Sequence, residues 1–274
     1  MRKIAIMYIC IGKYSVMWQA FYESAQRFLF NNDSKHFFVF TDSEEILNSF
    51  YPDVTTIRES NYGWPGNTLY RFKMFSSISE TIESYDYAYF FNANACFVKP
   101  VSDEVLPKDG SKIVVAQHFK MSGLNPLKYA YDRNAKSTAY VKWGHEGKDY
   151  IQACLFGATG SEFSNLSNII NKNIKQDEKH GVVALWHDES HLNKYIIGKK
   201  YTLLPISYVY PEVLSLPGEI NILMRNKEKF ASLNTLRYSK KSIIRNLVEK
   251  TYNQFRKLKG LYYYLTISKL KRIK

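Results

Sequence analysis

The chain has 274 residues, 45% of them apolar and 23% charged. That composition supports one large core and excludes wholesale disorder, and the length is short for two full domains. Lys and Arg outnumber Asp and Glu by 38 to 25, which is +13. The excess is local: from Arg237 to Lys274 there are 12 basic residues against Glu249 alone, so residues 1–236 form a near-neutral body. Three cysteines (Cys10, Cys96 and Cys154) sit in apolar runs without metal-ligand spacing, which argues against a disulfide framework and for a reducing compartment. The first apolar run, residues 4–11, is too short for a membrane span and lacks a signal peptide's cleavage pattern. The expectation is a cytoplasmic protein that begins at or near Met1.

The run at 4–11 predicts a buried strand. A helical pattern over about 17–30 follows, with Phe21, Ala25 and Phe28 on one face, then the run Phe37 to Phe40. Strand, helix and strand within so short a stretch is the pattern of a parallel α/β layer. A loop at 61–67 with two Gly and one Pro precedes a helix expected over 68–84. The most hydrophobic strand, Tyr87 to Phe91, stops at Asn92-Ala93-Asn94. Another strand, residues 113–116, runs into Gln117 and His118. Residues 151–156 look buried, and Gly157 to Gly160 is expected to turn the chain. A helix then places Leu166, Ile169, Ile170 and Ile174 on one face, and a last run spans residues 201–204. The predicted class is α/β: a mixed, mostly parallel sheet with helices on both faces.

Four segments carry the chemistry. Asn92 and Asn94 interrupt a buried strand where ligands of open α/β sheets bind; two amides there suit a sugar or a phosphate but hold a divalent ion weakly, and a plain Asx turn is the alternative. Trp186-His187-Asp188-Glu189-Ser190-His191 packs an aromatic, two imidazoles and two carboxylates into six positions. His187 and His191 share the four-residue spacing of a zinc helix, but Glu189 lies one place too late to serve as its base. A capped helix start and a catalytic carboxylate beside an aromatic platform are the other readings. Trp64 to Asn67 with Arg71 beyond offers a guanidinium at a helix start, suited to phosphate oxygens. Gln152 to Ala158 alternates small and bulky residues, as a shallow groove or a tight packing surface would.

In this order and at these spacings the segments resemble glycosyltransferase family 6, the family of the histo-blood-group A and B transferases and the α-1,3-galactosyltransferase. The similarity spans about 230 residues and is most specific from Trp186 to Tyr195. It implies the GT-A fold (Rossmann-like, one domain over 1–236) and transfer of Gal or GalNAc from a UDP-sugar to a galactose 3-hydroxyl with α configuration retained. By the same resemblance Ile9, Cys10, Ile11 and Tyr14 bracket the uracil and ribose. Arg71 lies near the donor sugar and diphosphate, and Asp188 bonds the donor sugar. Gln152, Ala153 and Cys154 fall where Gal and GalNAc donors are told apart. His118, Trp186 and Glu189 hold the acceptor and the reacting carbon.

Animal members of that family carry Asp-X-Asp where this chain has Asn92-Ala93-Asn94. Neutral amides resemble the bacterial branch, which implies no metal cofactor. Cations must then stabilise the departing UDP, and Lys227, Lys229 and Arg237 are the candidates. Glu189 is the expected catalytic carboxylate, as nucleophile or as stabiliser of positive charge at C1. The rival readings are a catalytically inactive UDP-sugar or glycan-binding module and, third, a zinc hydrolase. The expected partners are UDP-Gal or UDP-GalNAc and a galactose-terminated oligosaccharide or lipid-linked glycan, with no nucleic acid. In the tail, residues 237–274, apolar residues recur at helical spacing among Lys and Arg, followed by Tyr262 to Tyr264. A basic amphipathic helix of that kind suits an anionic membrane surface at the inner leaflet. Packing on the body or on a partner chain, and contact with nucleic acid, are the alternatives.

Overall fold

A computed structural model describes residues 1–230. The tail and Arg237 lie outside the described residues. The main sheet has seven strands: β1 (Lys3–Cys10), β2 (Ser34–Thr41), β3 (Val54–Arg58), β4 (Tyr87–Phe91), β6 (Ile113–Gln117), β7 (Ile151–Thr159) and β8 (Thr202–Leu204), in the order β3-β2-β1-β4-β7-β6-β8. A smaller sheet joins β5 (Ala95–Phe97), β10 (Ile222–Met224) and β9 (Tyr210–Pro211). In the main sheet only β7 runs antiparallel to its neighbours. The expected α/β class with a mixed, mostly parallel sheet is what the chain adopts.

Strand β1 shows how the two layers form. Ile4, Ile6 and Tyr8 face one core; Ala5, Met7 and Ile11 face the other. A strand buried on both sides has no polar face, so its sequence is a continuous apolar run. The first core is covered by α1 (Trp18–Phe28), which buries Trp18, Phe21 and Ala25, and by the small sheet. After the short α2 (Glu44–Leu47), the second face is covered by α3 (Gly63–Leu69), α4 (Arg71–Ser76), α5 (Ser79–Glu83) and α6 (Gly160–Lys179). The next helix, α7 (Asp188–Ile196), packs on α6 and β7.

Three expectations change. The helix expected over 68–84 is three short helices, with breaks at Tyr70 and at residues 77–78. Gly157 and Gly160 do not turn the chain: β7 runs straight through to Thr159, and Gly160 opens α6. The glycines serve close approach instead. A Cβ at Gly157 would sit 2.3 Å from the Tyr89 ring, and one at Gly160 2.1 Å from the Tyr85 carbonyl oxygen. Ile169 is 39% exposed rather than on the buried face of α6.

Strand order reverses between β1 and β4, since β2 and β3 lie on one side of β1 and β4 on the other. Open α/β sheets bind ligands in the crevice at such a reversal, outside the carboxyl ends of the strands. Because β7 is antiparallel, it brings its starting residues, not its last ones, to this same edge.

Candidate active site

The crevice at the switch point is lined by Ile9, Ile11 and Tyr14 after β1, by Asn92 and Ala93 after β4, by Trp64, Asn67, Thr68 and Arg71 from the second layer, and by Lys227. The turn after β1 depends on Gly12, whose φ of +61° suits glycine. Its N–H donates to Asp42 Oδ1 at 2.6 Å, tying the ends of β1 and β2 together. Opposite, Lys227 places its ammonium 5.3 Å from the centroid of the Tyr14 ring. Tyr14 and Lys227 are 213 positions apart yet share one wall.

Arg71 is the first residue of α4 and is buried. Its guanidinium lies 4.4 Å over the Phe90 ring, donates from Nη1 to the Ala153 carbonyl at 2.5 Å, and pairs with Asp188 Oδ2 at 3.0 Å. Glu189, the next residue after Asp188, accepts from the Ala153 N–H on Oε2 at 3.1 Å and from the Tyr150 hydroxyl on Oε1 at 3.2 Å. One peptide residue, Ala153, therefore fixes a cation through its carbonyl and a carboxylate through its N–H. The bulge that makes this possible lies in β7. Val115 pairs with Phe156, but Ala116 pairs with Gln152, so residues 153–155 leave the β6 ladder as a bulge.

Burial pushes Asp188 up to about 6, with Arg71 and the backbone N–H groups opposing the rise. Burial likewise pushes Glu189 up to about 7; the Asp188 charge adds to this, while the Ala153 N–H, Tyr150 and Arg71 oppose it. Both acids sit in the first turn of α7, where the helix dipole favours negative charge. The chain enters that turn through His187 at φ 53°, ψ −124°, a backbone region usually left to glycine. Strain of this kind costs about 1–3 kcal/mol and clusters at functional sites. Asn193 holds α7 against β7: its side chain accepts from Ile151 N–H and donates to Ile151 O, both at 2.9 Å.

On the outer side, His118 ends β6 with its ring 5.7 Å from that of Tyr150, and burial lowers it to about 4, so it is neutral at physiological pH. Trp186 exposes 41% of its surface while its carbonyl accepts the Glu189 N–H at 3.0 Å. His118 and Glu189 thus both meet Tyr150, and Trp186 stands three residues before Glu189.

Other expected site residues are placed differently. Cys10 and Cys154 point into the first core, where burial pushes both thiols up to about 12. Lys229 is paired with Glu212 at 2.6 Å and is not part of the cleft lining. Gln152 is half-buried, with Oε1 unpartnered among the described residues. Asn94 is a clamp: its Nδ2 donates to the Arg225 carbonyl at 2.7 Å and its backbone carbonyl accepts the Arg225 N–H at 2.9 Å. Asn94 Oδ1 is buried without a partner among the described residues, but Asn92 and Asn94 bring amides and no charge, so this pair does not fit a hard divalent cation. Among the described residues no group of three His, Cys, Asp or Glu side chains is placed to hold a metal. The zinc spacing fails locally too: His187 packs on Trp64 at 5.1 Å, whereas His191 lies 3.8 Å from Asp177.

Tyr150, Phe90 and Asn193 were not expected in the site. Phe90 lies within β4 and Tyr150 just before β7, and both look like filler; their roles come from what Arg71 and Glu189 bring to them.

A switch-point cleft, a buried guanidinium and a carboxylate held beside it on an α/β sheet of this order define the class: a glycosyltransferase of the GT-A type. The chain belongs to glycosyltransferase family 6, which matches residues 2–237. The O-antigen biosynthesis glycosyltransferase WbnI of Escherichia coli is 33% identical over 226 residues, covering 82% of this chain and 95% of that protein. Histo-blood group ABO system transferase 2 of Rattus norvegicus is 26% identical, covering 77% of this chain and 64% of its own length. Human globoside alpha-1,3-N-acetylgalactosaminyltransferase 1 is 25% identical, with 77% and 60% covered. The chain spans nearly all of the bacterial relative but less than two thirds of these two animal ones. Among the described residues no helix is long and apolar enough to cross a membrane.

Proposed function

We propose that this glycosyltransferase moves Gal or GalNAc from a UDP-sugar to the 3-hydroxyl of a galactose-terminated glycan, with retention of α configuration and without a metal ion. The observation that carries the reading is the double use of Ala153, which sets Arg71, a residue of the cleft lining, and Glu189 on either side of one backbone unit. Breaking the bond from C1 to the diphosphate creates positive charge at C1 and extra negative charge on UDP. A carboxylate is needed near the first and cations near the second. Glu189 supplies the carboxylate, as nucleophile or as stabiliser. Arg71 and Lys227 supply charge on the donor side. The leaving phosphate takes the acceptor proton, so no separate base is needed. Trp186 gives the apolar face of the acceptor sugar a platform. The Escherichia coli relative is named for O-antigen biosynthesis, which favours a bacterial glycan, free or lipid-linked, as acceptor.

The test is UDP release from a panel of UDP-sugars against plain and fucosylated galactosides, with and without EDTA. Release is expected with UDP-Gal or UDP-GalNAc, to require the galactoside, and to survive the chelator. Loss of activity in EDTA that manganese restores would overturn the metal-free reading; silence with both donors would overturn the choice of sugar.

A further inference from the structure

We propose that Tyr150 is a positioning residue whose single hydroxyl proton, shared between Glu189 and the Ala130 carbonyl, holds the Glu189 carboxylate in its ionised form. The inference deepens the reading above, because it takes Glu189 as the charged group that faces the sugar.

The Tyr150 hydroxyl lies 3.2 Å from Glu189 Oε1 and 3.4 Å from the Ala130 carbonyl oxygen. A phenol has one proton to donate and faces two acceptors. It therefore satisfies one of them at a time. When Glu189 is ionised, the proton points at Oε1. When Glu189 takes up a proton, the acid donates to the phenol oxygen and the Tyr150 proton turns to Ala130. Tyr150 never leaves its neutral form: burial holds the phenol well above its ordinary value. Its ring cannot swing away, because Tyr129, Tyr131 and His118 pack around it at 5.8, 5.4 and 5.7 Å.

The other groups facing Glu189 divide by element. Asp188, on the same helix, opposes its ionisation, and Arg71 on α4 favours it. The Cys154 thiol on β7 lies close enough to be raised by the Glu189 charge. The neutral His118 and Tyr131 stand behind Tyr150. Removing the phenol oxygen leaves the carboxylate only the Ala153 N–H as a hydrogen-bond donor among the described residues. A hydrogen bond to a charged group weighs enough to move a titration by about one pH unit or more.

The experiment titrates the carboxyl carbon of Glu189 by NMR in the full chain labelled with ¹³C-glutamate, the signal assigned by its loss in Glu189→Gln. In Tyr150→Phe the midpoint is expected to rise by about one pH unit. In Tyr129→Phe, which removes a neighbouring hydroxyl that donates to the Lys148 carbonyl, it is expected to stay. An unmoved or lowered midpoint in Tyr150→Phe overturns the proposal, as does an equal rise in Tyr129→Phe. Should Tyr150→Phe not fold, the wild type still decides: the Cζ signal of Tyr150 should shift with the same midpoint as the Glu189 carboxyl, and a flat Cζ signal overturns the proposal. Neither readout needs a donor or turnover, so an inactive enzyme would sink the transfer reading and leave this result standing.

Discussion

At the amino ends of the parallel strands, Arg2 grips Asp33 through Nε at 2.9 Å and Nη2 at 2.6 Å, and the same Nη2 reaches Asp103 at 2.6 Å. Lys3 donates its N–H to Asp86 at 2.7 Å. At the carboxyl ends, by contrast, Arg71 Nε and Gln152 Oε1 lie buried without hydrogen-bond partners among the described residues, and Asp188 Oδ2 has only its ion pair with Arg71. The titrations follow. Hydrogen bonds from Arg2 hold Asp33 below the usual carboxylate range, whereas burial holds Asp188 and Glu189 above it. One end of the sheet spends its charges on the fold. The other keeps them under-satisfied, and that is the state in which an arriving ligand gains most from them.

Exchanging charges for neutral isosteres separates the two ends. Glu189→Gln should lower kcat by at least ~10²-fold with little change in UDP affinity, the usual scale for one preorganised charge. The same variant should melt higher than wild type at neutral pH. A carboxyl whose folded value is raised to about 7 contributes stability in its neutral form, fully below its ordinary value and lost as pH rises through about 7. The difference between variant and wild type should therefore open as pH rises toward 7 and close in acid. Near-normal turnover would remove Glu189 from its role.

Lys227→Ala should raise the donor KM about tenfold, as loss of one charge-assisted contact does, and leave the melting temperature alone. Unchanged donor kinetics would assign the diphosphate to other cations. At the opposite end, Asp33→Asn should cost about 1 kcal/mol of stability, a figure held down by the solvent access of Arg2. It should leave kcat untouched. Its sign is the reverse of Glu189: the Asp33 contribution is present above the ordinary aspartate value and fades as pH falls below it. A lost kcat in this variant would break the contrast between the two ends. The smallest effect is expected from Trp186→Ala, a several-fold rise in acceptor KM with donor KM unchanged, read from initial rates at saturating donor.

Much of the fold was legible because burial on both faces writes itself into a strand as an unbroken apolar run. Residues 4–11 and 87–91 announced β1 and β4 in this way. The glycines misled because one sequence signal has two causes: at 157 and 160 glycine makes room for Tyr89 and Tyr85 rather than bending the chain. In the site, the first turn of α7 was legible because two adjacent carboxylates flanked by Trp and His are rare as filler. Tyr150 was not. A tyrosine before an apolar strand looks the same whether or not its hydroxyl meets a carboxylate 39 positions on.

The sequence by itself determined the long buried strands and the list of residues able to do charge chemistry, since these follow from unbroken apolar runs and side-chain type. Only the tertiary structure decided that Ala153 would hold Arg71 and Glu189 together and that Lys227 would lie beside Tyr14. It also decided that Lys229 would be spent on Glu212. Ionisation and binding depend on which groups lie within a few ångströms in a medium of low dielectric, and chain separation carries no information about that distance.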